Sequence, residues 1–499
     1  MNRLSKLGFI APATLSIFFV LSLYSRNIAI TSFDKVWRPL VISIVVTLGI
    51  YYICYFICKS TTKANILLIA LVIATFGYSY SWIITVVALA AFLATALTKN
   101  RYLPTTTVLA TTVIAGCLLI TPLFTITSYH LNRPAPPSQH NGSIVANSTY
   151  NLSSKPNIYY IIPDSYAGKW TLEELGYDNS EFIGFLEDKG FYIAQDAYCN
   201  YPRTYLSLSA TLNMEYLLST DYEYNSNEIR GLNGHPTAVV AYLKSRDYQY
   251  VHVGNSMWEP TYDNGYADET YLYEKEGKRI CCRDFELALL NIPEGREKAR
   301  QLARESTLFQ LNTLKTLPNY SQPTFVFCHL LIPHHNFYMF NADGSYPTRE
   351  EVASVDWHDF YVGQIEYLNR QLEEIVTVIL GKSSRPTIIV IQSDEGFSSS
   401  QYFEHLWARD YTSIYTNTHI LKERAYILNA YYLPEGFDSL YSDISPVNTF
   451  RVIFNEHLDG DFELLPDKFY FAKKISEPGE SILFDELYDA TSEILMGGE

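Results

Sequence analysis

The chain has 499 residues, 37 of them basic and 53 acidic, for a formal net charge of −16 at pH 7. Acidity on that scale argues against a nucleic-acid partner, which needs a basic face. Its 48% of hydrophobic residues are unevenly spread: apolar runs of spanning length crowd into about the first 130 positions and then stop, which excludes a wholly soluble design.

A membrane-crossing helix needs about 20 mostly apolar residues. Five stretches approach that: Phe9 to Tyr24, Pro39 to Cys58, Ala64 to Gly77, Trp82 to Thr98 and Leu103 to Thr127. The third and fourth are short and meet at Tyr78-Ser79-Tyr80-Ser81, which reads as a tight hairpin. Basic residues mark cytoplasmic loops. Arg3 and Lys6, Lys59 and Lys63, and Lys99 and Arg101 fall on one side if there are five spans, although the basic loop from Arg26 to Arg38 falls on the other. An odd number of spans places everything after about Ser128 outside. A cleaved signal peptide is the competing reading of the first stretch, but no small-x-small site follows it. The expected organisation is a helical anchor over residues 1–130, a linker over 131–155 and an extracytoplasmic domain over 156–499. The stretch from Pro134 to Ser154 is rich in Pro, Asn and Ser and suits a flexible spacer. The glycosylation-like triplets beginning at Asn147 and Asn151 within it are too short to carry weight.

Three of the seven cysteines (Cys54, Cys58, Cys117) lie in apolar spans and read as packing residues. Cys199, Cys281, Cys282 and Cys328 lack zinc-site spacing; one disulfide among them would suit an oxidising compartment, but the sequence does not give its pairing.

Beyond the linker, short apolar runs alternate with helical periodicity. Strands are expected at Asn157 to Pro163, Tyr248 to Val253, Thr324 to Leu331, Pro386 to Gln392 and Tyr426 to Tyr432. Helices are expected at Ser180 to Lys189, Thr204 to Leu217, Glu297 to Leu314 and Val355 to Ile379. This alternation gives the fold class: α/β, a mostly parallel sheet sandwiched by helices. In such sheets ligands bind beyond the carboxyl ends of the strands. Asp164 follows the first strand, Pro333-His334-His335 follows the strand at Thr324, and Asp394-Glu395 follows the strand at Pro386. Any one of these has an ordinary explanation, such as a helix N-cap for a strand-end Asp. Together they form a set of oxygen and imidazole donors suited to one divalent cation: Mn, Mg, Zn or Ca. Thr204 opens a helix directly after Pro202-Arg203, where unpaired N–H groups and positive potential favour an alkoxide and a bound oxyanion. The competing reading makes Thr204 a plain N-cap.

These motifs resemble the alkaline phosphatase superfamily in its sulfatase-like, lipoteichoic-acid-synthase-like, membrane-anchored branch. The matching segments are Asn157 to Asp164, Thr204-Tyr205-Leu206-Ser207 with the helix after it, Pro333-His334, and Ser393-Asp394-Glu395-Gly396, over roughly residues 155 to 435. The resemblance implies Thr204 as nucleophile, Asp164, Thr204, Asp394 and Glu395 as metal ligands, His334 as a catalytic group, and His335 and Arg203 as substrate-binding groups. It also implies a hydrolase or head-group transferase at the inner or plasma membrane, acting on phospho- or sulfo-esters of a membrane lipid or envelope glycan. Two departures stand out. Glu395 replaces the family's metal-binding His, adding negative charge beside an anionic substrate; the alternative is an inactive domain that binds an envelope polymer. Cys199, Pro202 and Arg203 lack the Cys-x-Pro-x-Arg spacing of true sulfatases, which favours phosphoester chemistry. A transporter with an accessory outer domain is disfavoured, because the spans hold almost no charge in their apolar cores.

Overall fold

The computed structural model describes residues 10–26, 36–77, 103–131, 155–217, 236–255, 261–262, 264–275, 278–279, 293–334, 338–354, 356–408, 410–434, 436–472 and 487–495. The chain divides into two compact units, largely Met1–Gly142 and Ser143–Ile475.

The first unit is helical: α1 (Ile10–Arg26), α2 (Trp37–Cys58), α3 (Thr61–Gly77) and α4 (Leu103–Leu131). Among the described residues, two helices are long and apolar enough to cross a membrane, Trp37–Cys58 and, within α4, Thr106–Ser128, with mean hydropathies of 2.3 and 2.1. The first and third expected spans form helices of 17 residues each. The fourth lies outside the described residues. Ala11 and Leu15 of α1, Leu68, Ile69 and Val72 of α3 and Ala115 of α4 share one small core. The Ser16 and Thr47 hydroxyls, buried between α1 and α2, hydrogen-bond at 2.8 Å. α2 and α4 turn most of their apolar side chains outward, with Phe56 at 74% and Ile57 at 72% exposure.

The second unit is built on a seven-stranded sheet. In chain order its strands are β1 (Asn157–Pro163), β2 (Tyr192–Ile193), β3 (Gln249–Val253), β4 (Glu269–Tyr271), β5 (Thr324–Leu330), β6 (Thr387–Gln392) and β7 (Asn429–Tyr432). Across the sheet the order is β2-β7-β6-β1-β5-β3-β4. The five strands from β6 to β4 run parallel, while β7 is antiparallel to both β6 and β2. β1, at the centre, aligns Ile158 with Phe325 of β5 and with Ile388 of β6. All of its residues are buried, as are those of β5 and β6, because successive side chains enter opposite cores. Ile158, Tyr160 and Ile162 join a core with Leu208, Leu212, Phe450 and Phe454. Tyr159 and Ile161 join another with Leu311, Leu314, Ile365 and Leu368. One face is thus covered by α5 (Thr204–Asn213) and the helix Pro446–His457. The other is covered by α6 (Pro293–Thr316) and α7 (Trp357–Lys382).

Three expected boundaries are corrected. The helix opened by Thr204 stops at Asn213 rather than Leu217, because Met214 takes a left-handed conformation (φ 55°) as its C-cap. The long helix starts at Trp357, where the Asp356 carboxylate accepts the His358 N–H at 2.9 Å. The late strand starts at Asn429 rather than Tyr426, since Thr418–Ala425 is helical and only then does the chain turn into the sheet. Cys199 and Cys328 are free and buried; Cys281 and Cys282 lie outside the described residues.

Candidate active site

β1, β5 and β6 end side by side, so the segments leaving these strands meet at one rim. Asp164 continues the pairing of β1, its N–H donating to the Leu330 carbonyl at 2.9 Å. Ser165 then turns sharply with φ at 62°, a strained value for a residue with a side chain. Its hydrogen bonds join three carboxylates. The N–H donates to Asp394 Oδ1 at 3.1 Å, and the hydroxyl reaches Asp164 Oδ1 at 2.9 Å and Glu395 Oε1 at 3.2 Å. The Tyr361 hydroxyl of α7 holds this turn in place, donating to the Ser165 carbonyl at 2.7 Å and accepting the Ala167 N–H at 2.9 Å.

Two histidines complete the cluster. His329, fully buried in β5, points Nε2 at Asp164 Oδ2 (3.4 Å) and Asp394 Oδ2 (4.0 Å). Its Nδ1 lies 2.9 Å from the Thr261 hydroxyl, itself held by the Asn255 amide at 2.6 Å. Ligand atoms of Asp164, His329 and Asp394 all lie within 4.8 Å of one another, as do those of Asp164, His334 and Glu395. Asp164 and Asp394 are 2% and 1% exposed. Burial, together with the neighbouring Asp164 and Glu395 carboxylates, pushes the Asp394 carboxyl well above its ordinary range. Asp164 is pushed up by burial, but the His334 and His329 imidazoles and the Ser165 hydroxyl outweigh that and hold it low. Like charges crowded in a dry site are relieved either by a retained proton or by a cation. These donors fit a divalent cation on that ground as well as by their types.

Thr204 is the first residue of α5, and Arg203 rather than Thr204 occupies the N-cap position. The helix start carries no side-chain cap, and since the Leu206 and Ser207 N–H groups donate to the Arg203 carbonyl, its anion-favouring end is formed by the N–H groups of Thr204 and Tyr205. Thr204 is half-buried and stands near enough to the Asp394 carboxyl to favour its ionised form against the effect of burial. Arg203 is half-buried and electrostatically linked to Glu395. His335 lies outside the described residues.

Sequence reading missed Ser165, His329, Tyr361 and Arg424. Arg424, 3% exposed, binds Glu395 Oε2 through Nη2 at 2.9 Å. The same nitrogen donates to the Pro202 carbonyl at 2.6 Å, while Nη1 donates to the Gly396 carbonyl at 2.9 Å and to the Ser398 hydroxyl. Gly396 permits this closeness: a Cβ there would sit 2.3 Å from the Glu423 carbonyl oxygen. His329 was detectable as an imidazole inside an otherwise apolar strand.

The family model for sulfatases matches residues 156–435, more than half of the chain. The chain therefore belongs to the sulfatase family, as its motifs indicated. No curated protein sequence matches it. Among solved structures it is similar to the C-terminal periplasmic domain of EptC from Escherichia coli in complex with Zn, at 12% identity and a TM-score of 0.44, covering 68% of this chain and 93% of that one. It is also similar to the integral membrane lipooligosaccharide phosphoethanolamine transferase A from Neisseria meningitidis (11%, TM-score 0.39, covering 91% and 95%). A further likeness is to the lipoteichoic acid synthase LtaP from Listeria monocytogenes (10%, TM-score 0.40, covering 62% and 74%).

Proposed function

We propose that this chain is a membrane-anchored, metal-dependent phosphoester hydrolase or head-group transferase that works through Thr204. The observation that carries the reading is Thr204 at the start of α5, near the Asp394 carboxyl, which clusters with Asp164 and His329 and lies beside Glu395. Asp164, Asp394 and Glu395, with His329 and His334 beside them, would hold one divalent cation. When bound, it would lower the hydroxyl's pKa and offset charge on the phosphoryl oxygens.

The Thr204 hydroxyl gives up its proton toward the Asp394 carboxylate as its oxygen attacks phosphorus. The bond from phosphorus to the leaving oxygen breaks, and His334 protonates that oxygen. The N–H groups opening α5 face the developing charge. Arg203 and His335 steady the substrate anion. Water or an acceptor hydroxyl then takes the phosphoryl group from Thr204 and frees it for another cycle. An anchor of several spans, with the domain from residue 156 outside the membrane, would concentrate a lipid or envelope-glycan ester near the site.

The test is mass spectrometry of the full chain after exposure to membrane lipid extract. A head-group phosphoryl adduct on Thr204 is the expected result and identifies the donor. An adduct on Ser207, Ser209 or Cys199 would overturn the assignment. A protein that retains an envelope polymer without any adduct would instead be an inactive, polymer-binding relative, the reading that Glu395 suggests.

A further inference from the structure

Glu395 places a third carboxylate where the substrate's negative charge must arrive. Its two oxygens are divided: Oε1 takes at 3.2 Å the Ser165 hydroxyl that also reaches Asp164, and Oε2 meets Arg424 Nη2 at 2.9 Å. Three carboxylates around a divalent cation leave one negative charge over. A guanidinium at Oε2 cancels it.

The Arg424 guanidinium is fixed by other bonds as well. It donates to the carbonyls of Pro202 and Gly396 and to the Ser398 hydroxyl, and it lies over the Tyr402 ring at 5.2 Å. It thus ties the segment leading into Thr204 to the loop carrying Asp394 and Glu395. A buried arginine with this many partners cannot swing away, so its charge is a constant feature of the site.

We infer that Arg424 is a positioning residue that holds Glu395 with one oxygen turned to the cation and neutralises its charge, so that the site accepts an anionic ester despite three carboxylates. The inference rests on the cation-loaded reading above. It makes Glu395 and Arg424 one functional unit: the acid serves the cation and the base admits the anion.

The test measures two affinities by titration calorimetry on the full chain in detergent: Mn²⁺ alone, then inorganic phosphate with the Mn²⁺-loaded protein. Arg424→Gln is expected to weaken phosphate binding by about tenfold or more while Mn²⁺ binding holds or tightens, because a repulsive neighbour of the cation is gone. Glu395→Gln is expected to move the two affinities in opposite directions, Mn²⁺ weaker and phosphate tighter. The double substitution Glu395→Gln/Arg424→Gln removes both buried charges together, which spares folding even if Arg424→Gln alone does not fold. It is expected to recover phosphate affinity relative to Arg424→Gln, or to retain it near the wild-type value. A purely structural clamp predicts something else: both affinities fall together in every variant and the double substitution recovers nothing. That result, or phosphate affinity unmoved by either single change, overturns the inference. A wild-type protein that binds no Mn²⁺ overturns the cation-loaded reading itself, and this inference with it.

Discussion

The two units reverse the usual rule of inside and outside in opposite senses. In the helical unit, α2 and α4 turn Val45, Val46, Phe56, Ile57 and Phe124 outward. In the α/β unit, Asp164, Asp394, Glu395 and Arg424 are drawn inward. Neither arrangement is stable in plain water: outward apolar helices need hydrocarbon around them, and inward charges need partners. Each reversal has a partner that would stabilise it: a bilayer around the first, and for the second the Arg424 guanidinium at Glu395 together with the cation of the function proposed above.

Four experiments put that contrast at risk. The largest expected effect is on turnover: if Thr204 is the nucleophile as proposed, Thr204→Ala should lower kcat by about a thousandfold or more, by removing the covalent route. It should leave thermal stability nearly unchanged, and a steady-state assay with a phosphodiester, paired with a melting curve, checks both. In the helical unit, Val46→Asp sets a charge near the middle of α2 and should cost membrane insertion about 2.5–3.5 kcal/mol. Retention of that variant in the membrane pellet after alkaline extraction, equal to wild type, would count against a lipid-facing α2. The third effect is on stability without metal. Asp394 folds into a site that raises its pKa above the ordinary 3.8. Between the unfolded and folded values only the unfolded state releases that proton, so rising pH favours unfolding. Metal-stripped protein should therefore lose stability as pH climbs above about 4. Asp394→Asn should remove much of that loss, and added Mn²⁺ should restore stability to the wild type but not to the variant, as read by melting temperature across pH. The smallest effect belongs to Tyr361→Phe, which strips two hydrogen bonds from the Ser165 turn. A loss of about 1–3 kcal/mol is expected in denaturant titration. Mn²⁺ affinity should drop with it, because the turn positions all three carboxylates.

Much of the α/β core was legible because burial leaves a plain mark. β1, β5 and β6 are continuous apolar runs, and the acids just after β1 and β6 lie where strand direction requires. The sequence was less informative where structure depends on distant partners. β2 and β4 have two and three residues, too few for a periodic signal. Ser165 gave no cue, since its role comes from a backbone turn fixed by Tyr361, 196 positions away in sequence. His329 stood inside an apolar run and could be taken for packing. Register alone puts it opposite Ile162 and so beside Asp164.

The reversal of β7 has a consequence for reading such chains. A parallel sheet sends each of its strands toward the same rim and offers there only the residues the chain holds after a strand. One strand running the other way brings to that rim the residues the chain holds before it: Ser393 N–H meets the Leu428 carbonyl, and Gly396 N–H meets that of Arg424. Acids are thus delivered by exiting segments and their counter-cation by an entering one. A search that scans only downstream of each strand finds half of an ion pair; reading upstream from the last, inverted strand supplies the other half.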